Sequence, residues 1–142
     1  MITFNHLCGV ILLLQGRGIA RGKGTGALLV SPAPISFLSG VDPGTGIVVE
    51  KGHPLEGRSV AGTVLVFPFG KGSTVGSYVI YALTKNGHAP AAIVNTEAEA
   101  IIATGAIIGN IPMIDRPEIP IDQLHDGALA AVDGDAGTLE YT

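Results

Sequence analysis

The stretch Val64–Val94, VLVFPFGKGSTVGSYVIYALTKNGHAPAAIV, holds the residues best suited to chemistry. A β-rich apolar run ends at Phe69, Gly70-Lys71-Gly72-Ser73-Thr74 follows, and helical spacing then begins. At such a junction the first helical N–H groups have no intrahelical partner. Glycines at 70 and 72 allow φ > 0 and let a ligand approach the backbone. Lys71 adds a mobile positive charge. These residue types suit one of two tasks: holding an anion at a helix N-terminus, or stabilising an oxygen that must lose its proton. The plain alternative is that Ser73 or Thr74 caps the helix while the glycines turn the corner.

Two named phosphate motifs are excluded by spacing. In a P-loop the lysine precedes Ser or Thr, whereas Lys71 precedes Gly72, and no glycine stands at the required distance upstream. In the dinucleotide fingerprint the third glycine would fall one residue before Gly76.

The elements that must position this junction are legible on both sides of it. Ser59–Phe69 reads as a strand buried on both faces. Ser77–Lys85 reads as a helix with Val79, Ile80 and Leu83 on one stripe, stopped by Asn86-Gly87. Ala91–Val94 is a second strand. Thr96 and Glu99 form a capping box for a helix Glu97–Thr104 that ends at Gly105, and Ile111–Ile114 is a further strand. Strand–helix–strand–helix–strand implies parallel crossovers. Upstream, residues 15–30 alternate glycine and charge before a short strand Ala27–Val30. Residues 31–46 read as a long non-helical loop, because Pro32, Pro34 and Pro43 remove donors. Ile47–Glu50 is a brief strand, and residues 128–142 form a hairpin turning at Asp133-Gly134-Asp135. The fold class is α/β, a mixed sheet with parallel βαβ crossovers plus additional β-structure.

The bulk numbers agree with one domain. The 142 residues hold 21 glycines, 14% charged and 46% hydrophobic residues. That balance is the reverse of disorder and leaves an apolar surface for a partner subunit. The net charge of −4 argues against nucleic-acid binding. Six of the eight Lys and Arg lie in residues 1–71, and seven of the twelve acids lie in residues 115–142. The single cysteine, Cys8, reads as a small buried hydrophobe and excludes an internal disulfide or a self-contained iron–sulfur site. The apolar run Leu7–Leu14 is far too short for a membrane span, which needs about 20 residues, and lacks the flanks of a signal peptide. It reads as an extra strand or an appended tail. No targeting signal is visible, so a cytoplasmic location and no membrane contact are expected.

Several blocks in order carry a family resemblance. They are Pro34-Ile35-Ser36-Phe37 with Gly40-Val41-Asp42-Pro43, Thr45-Gly46, His53-Pro54-Leu55, Gly70-Lys71-Gly72-Ser73, Ala89-Pro90-Ala91-Ala92-Ile93 and Gly109-Asn110-Ile111-Pro112. Over about residues 17–139 this order resembles the small-subunit (swivel) family of the aconitase X superfamily. Ser39 stands where that family tends to carry a second glycine before Gly40. The resemblance implies a swivelling β/β/α domain over residues 15–142, with residues 1–14 an N-terminal extension. It also implies docking, as a heterodimer, on a large subunit that carries a 4Fe-4S cluster, with no cofactor and no metal bound by this chain. For archaeal members with separate subunits the implied activity is dehydration of (R)-5-phosphomevalonate to trans-anhydromevalonate 5-phosphate, in a mevalonate pathway to isoprenoids. For bacterial relatives, usually fused, it is dehydration of hydroxyprolines.

Carried onto this sequence, the family's proton acceptor falls on Ser73. Gly70, Lys71, Gly72, Thr74, Ser36, Ser39 and Gly40 are the candidate substrate contacts. A serine alkoxide is a costly base. A helix N-terminus supplies roughly 0.3–2 kcal/mol, and one pKa unit needs about 1.4 kcal/mol. Further donors must act in a dry, closed site, so the base is expected to become competent when the partner closes over it. Asp42 and His53 read as turn and structural residues. Asn95 and Glu97 stand at a strand end where ligands bind, with Glu97 placed in a first helical turn. Arg17 and Arg21 suit either a phosphate or an acidic partner surface. A stand-alone anion-binding module and a purely structural subunit stay open as other functions.

Overall fold

The computed structural model describes residues 2–6 and 9–142. The expectation for Cys8 lies outside them. The described chain runs β1 (Ile2–His6), β2 (Gly9–Gln15), β3 (Arg17–Ala20), β4 (Lys23–Val30), α1 (Phe37–Gly40), β5 (Val64–Phe67), α2 (Gly76–Lys85), β6 (Ala92–Asn95), α3 (Ala100–Ile108), β7 (Met113–Asp115), β8 (Leu129–Asp133) and β9 (Thr138–Tyr141). The strands form one ladder of order β1-β2-β9-β8-β4-β5-β6-β7-β3.

Strand β4 joins two sheets. Its first part, Lys23–Ala27, pairs antiparallel with β8, and its last three residues pair in parallel with β5. From there β5, β6 and β7 continue in parallel, and β3 closes the edge antiparallel to β7. The period-2 alternation of the parallel strands explains the layering. Leu28, Val64, Val66, Ala92, Val94 and Ile114 face Leu14, Ala130, Val132 and Leu139 of the antiparallel sheet. Leu29, Leu65, Phe67, Ile93 and Met113 face Ile80, Leu83, Ile102 and Ala106 of the helices. The result is a β/β/α arrangement with apolar residues buried on both faces of the middle sheet, each large side chain contributing about 1.5–3 kcal/mol. Among the described residues no helix is long and apolar enough to cross a membrane.

Four expectations need correction. Residues 17–20 and 23–30 are strands, although glycine and charge alternate there. A Cβ at Gly24 or Gly26 would strike the carbonyls of Ala91 and Gly62, so these strands cross neighbouring backbone at a spacing that excludes side chains. The loop 31–46 contains a helical turn, α1. Its start at Phe37 lies beyond the reach of Pro34, and Phe37 packs on Phe67 with ring centroids 5.9 Å apart. Residues 47 and 48 make isolated bridges to Ser59 and Val41 in place of a strand. Helix α3 begins three residues later than expected and runs through Gly105 to Ile108. A Cβ at Gly105 would stand 2.7 Å from Ile80 Cδ1, so this glycine opens the contact between the two long helices and does not end one.

Candidate active site

The carboxyl ends of the parallel strands share one edge, where open α/β sheets bind ligands. From β5 the chain passes through residues 68–75 into α2, and from β6 through residues 96–99 into α3. Between these loops lies a cleft of about 140 Å³ whose walls include Ser73, Lys71, Glu99, Ile101, Ile102 and Phe37.

The loop carrying Ser73 is laid on residues 34–36. Lys71 N–H donates to the Ile35 carbonyl at 3.0 Å, and Ile35 N–H to the Phe69 carbonyl at 3.4 Å. Gly72 has φ +94°, and a Cβ there would stand 2.6 Å from Ser36 Oγ. A Cβ at Gly70 would strike Ile102 and come 2.8 Å from Glu99 Oε1. Both glycines are therefore demanded by the site, one by its backbone conformation and one by its space.

Ser73 is half-buried, and its Oγ accepts the Val75 N–H at 3.2 Å. The N-cap of α2, Val75, offers no side-chain cap, and the first turn holds no acid. The N–H groups of Gly72, Ser73 and Thr74 meet no acceptor among the described residues. The end of α2 is thus electropositive and open. By contrast α3 is closed by Glu99, whose carboxylate accepts Ile101 N–H at 3.1 Å and Ile102 N–H at 2.7 Å. Glu99 is the cap itself, in place of the expected Thr96–Glu99 box. Lys71 Nζ lies 3.4 Å from Glu50 Oε2.

The structure brings Gly70, Lys71, Gly72 and Ser73 together at the cleft. Ser36 lies beneath Gly72 and shares a 3.0 Å hydrogen bond with Ser39. Thr74 is exposed beside the cleft, and Gly40 is buried in α1, so neither lines it. Asp42 anchors a turn through Gly44 N–H and Thr45 Oγ1, and His53 is buried with Nδ1 accepting Leu55 N–H and Nε2 facing the Pro34 carbonyl at 3.0 Å. Both are placed as turn and structural residues. Among the described residues no three His, Cys, Asp or Glu side chains gather as a metal site.

Sequence reasoning missed Glu99 as a wall of the cleft and Asp115 altogether. Asp115 is fully buried and accepts Arg17 Nε at 2.9 Å, Arg17 Nη2 at 2.7 Å and Ala98 N–H at 2.8 Å. Burial pushes its carboxyl up, but the Arg17 hydrogen bond, the Ala98 N–H and the charges of Arg17 and Arg116 outweigh that and hold it below the usual range. Glu97 precedes α3 and is not in its first turn. Its bidentate hydrogen bond from Arg116, helped by the charges of Arg116 and Arg17, also holds it low. A depressed carboxyl stabilises the fold fully above its unfolded pKa, and that stability fades as pH falls through the folded value. Replacing Asp115 by Asn is expected to cost about 2 kcal/mol at neutral pH. The gap between variant and parent in urea denaturation should close below pH ~3.8, the ordinary Asp value.

A family model, the aconitase X swivel domain, matches residues 13–141. The phosphomevalonate dehydratase small subunit of Methanocella arvoryzae is 60% identical over 130 residues, covering 91% of this chain and 98% of that protein. That of Methanosarcina acetivorans is 56% identical over 132 residues, covering 92% of each. The crystal structure of Thermococcus kodakaraensis aconitase X in its holo-form superposes with TM-score 0.88 at 53% identity, covering 92% of this chain and 98% of the matched one. The solution structure of a UPF0107 protein gives TM-score 0.85 at 46% identity, covering 92% and 99%. With fold and sequence in agreement over nearly its whole length, the chain belongs to the aconitase X swivel domain family.

Proposed function

We propose that this chain is the small subunit of a two-subunit hydro-lyase that dehydrates (R)-5-phosphomevalonate to trans-anhydromevalonate 5-phosphate, and that Ser73 Oγ is the proton acceptor. The observation that carries the reading is the setting of that oxygen. It accepts a backbone N–H at the open end of α2, beside three further N–H groups without a described acceptor, in a cleft that also holds Lys71. Each of these favours the alkoxide over the hydroxyl. The relatives named phosphomevalonate dehydratase small subunit support the choice of substrate.

In the reaction Ser73 takes the proton from the carbon next to the carboxylate. The C–H electron pair becomes the new C=C bond, and the neighbouring C–O bond breaks with its pair leaving on oxygen as hydroxide, so that with the proton held by Ser73 the net loss is one water. Lys71 and the N–H of Gly72 meet the substrate's anionic carboxylate. Lys71's own N–H is already engaged by Ile35, so it recognises anions through Nζ alone. Gly70 gives the cleft its depth. Ser36 and Ser39 hold Gly72 from below, and Gly40 supports α1. In this reading the iron–sulfur cluster belongs to the large subunit, where it would act as Lewis acid on the substrate's departing hydroxyl.

Exposed apolar side chains stand near cleft-lining positions along the chain. Leu38, Phe69, Val75 and Tyr78 are 49%, 46%, 40% and 69% exposed, and each lies within a few residues of a cleft-lining position. The large subunit docks on this rim and excludes water, which gives the N–H groups their full effect on Ser73. We read the assembled enzyme as cytoplasmic. Assayed separately, neither subunit should dehydrate (R)-5-phosphomevalonate, and mixing them should restore turnover. Turnover by this chain alone would rule the reading out.

A further inference from the structure

Three strand ends stand side by side at the edge that carries the cleft. Phe67, Asn95 and Asp115 are Cα partners across β5, β6 and β7. By alternation with Val94 and Ile114, which face the other sheet, Asn95 and Asp115 share the helix-facing side with Phe67.

Loop 96–99, which follows β6, is the template on which the start of the serine loop rests. Thr96 and Glu97 N–H both donate to the Pro68 carbonyl, at 3.0 and 3.3 Å. Asn95 Nδ2 donates to the Phe67 carbonyl at 3.1 Å, and Glu99 fills the space beside Gly70. The template is itself clamped from the far edge of the sheet. Asp115 holds Ala98 N–H, and Arg116 N–H donates to the Thr96 carbonyl at 3.1 Å. The Arg116 guanidinium grips Glu97, and Arg17 Nη2 comes within 3.9 Å of the same carboxylate. Arg17 then fixes Asp115 with two hydrogen bonds.

Two local costs are tolerated in this clamp. Arg116 has φ +50°, a conformation that disfavours a side chain other than glycine. Asn95 Oδ1 is buried and accepts no hydrogen bond from a described residue. A brace needed for stability alone would be expected to shed such features, whereas strain and orphaned polar groups persist where geometry is under functional constraint.

We infer that Arg17 and Asp115 are positioning residues for the reaction: through Ala98 and the 95–99 loop they set the backbone that carries Ser73, although both lie two strands or more from β5. This inference rests on the reading of Ser73 as the base. The side chains touch neither substrate nor reacting atoms. Their effect falls on the placement of Ser73 Oγ, where an error of about 1 Å can cost on the order of a hundredfold in rate.

The test uses the two-subunit complex with Arg17→Gln, Arg17→Lys, Asp115→Asn and Ser73→Ala variants, assayed on (R)-5-phosphomevalonate. Arg17→Gln and Asp115→Asn should lower kcat roughly ten- to a hundredfold while KM and subunit affinity stay within about twofold. Arg17→Lys should recover part of the loss. Hydrogen exchange should quicken more at residues 70–75 and 96–98 than in β4 and β8, where only the general loss of stability is felt. Unaltered kcat in a folded, assembled Arg17→Gln complex would overturn the inference, as would a loss of kcat accompanied by equal loosening of β4 and β8. A dead Ser73→Ala complex beside a fully active Arg17→Gln complex sinks this inference and spares the base. An active Ser73→Ala complex sinks both.

Discussion

Ser73→Ala should leave the two-subunit complex assembled and lower its kcat by about three orders of magnitude. The substitution removes one oxygen from a half-buried position. The hydrogen bond lost with it, from Val75 N–H, contributes about 1 kcal/mol and belongs to a loop, so the fold survives. The chemical loss is larger, because general-base catalysis is worth roughly 10²–10⁴-fold. The interaction strengthens as the proton moves, so kcat and kcat/KM should fall together while KM changes little. Initial rates at saturating large subunit, with assembly followed by gel filtration, give the answer. Turnover within tenfold of the parent would exclude Ser73 as the base and leave a structural role.

Charging the rim should abolish assembly without harming the isolated chain. Phe69→Asp combined with Tyr78→Asp puts two carboxylates on side chains that are 46% and 69% exposed. Neither packs in the interior, so the melting temperature of the free subunit should stay within a few degrees. In the complex the same aromatics would be buried, and truncating or charging such anchors typically costs 2 kcal/mol or more each. Affinity for the large subunit should therefore fall at least a hundredfold, with kcat restored when the partner is supplied in large excess. Leu129→Asp, on β8 and 60% exposed, makes the matched control and should change nothing. Equal loss from both changes would remove the rim as the docking face.

The sequence made the middle of this molecule legible for a physical reason. Val64–Phe67 alternates between two apolar cores, so it reads as a strand without help from distant residues. The Gly70–Ser73 junction was also visible, because two glycines around a lysine interrupt an apolar run just where helical spacing begins. What escaped depends on partners far away in the chain. Asp115 looks like a surface acid until Arg17, on β3, is brought beside it. Glu99 looks like the back half of a capping box until the helix is seen to start after it. Gly24 and Gly26 look like linker residues, since nothing local reveals the carbonyls of Ala91 and Gly62 pressed against them. Gly105 reads as a stop signal because glycine usually is one at a helix end, and only the contact with Ile80 shows otherwise.

The last two described strands in chain order, β8 and β9, lie in the interior of the ladder between β2 and β4. Lys23 must wait for Asp133, and Leu14 for Leu139, before either has its neighbour. The antiparallel sheet thus closes only once these late strands have joined the early ones, and such long-range pairing makes for slow maturation. A nascent chain stalled before Leu129 would expose the edges of β2 and β4 and the apolar face of Leu28, Val64 and Val66 at once. That is the form in which this protein is most exposed to clumping with its own copies and most dependent on chaperones.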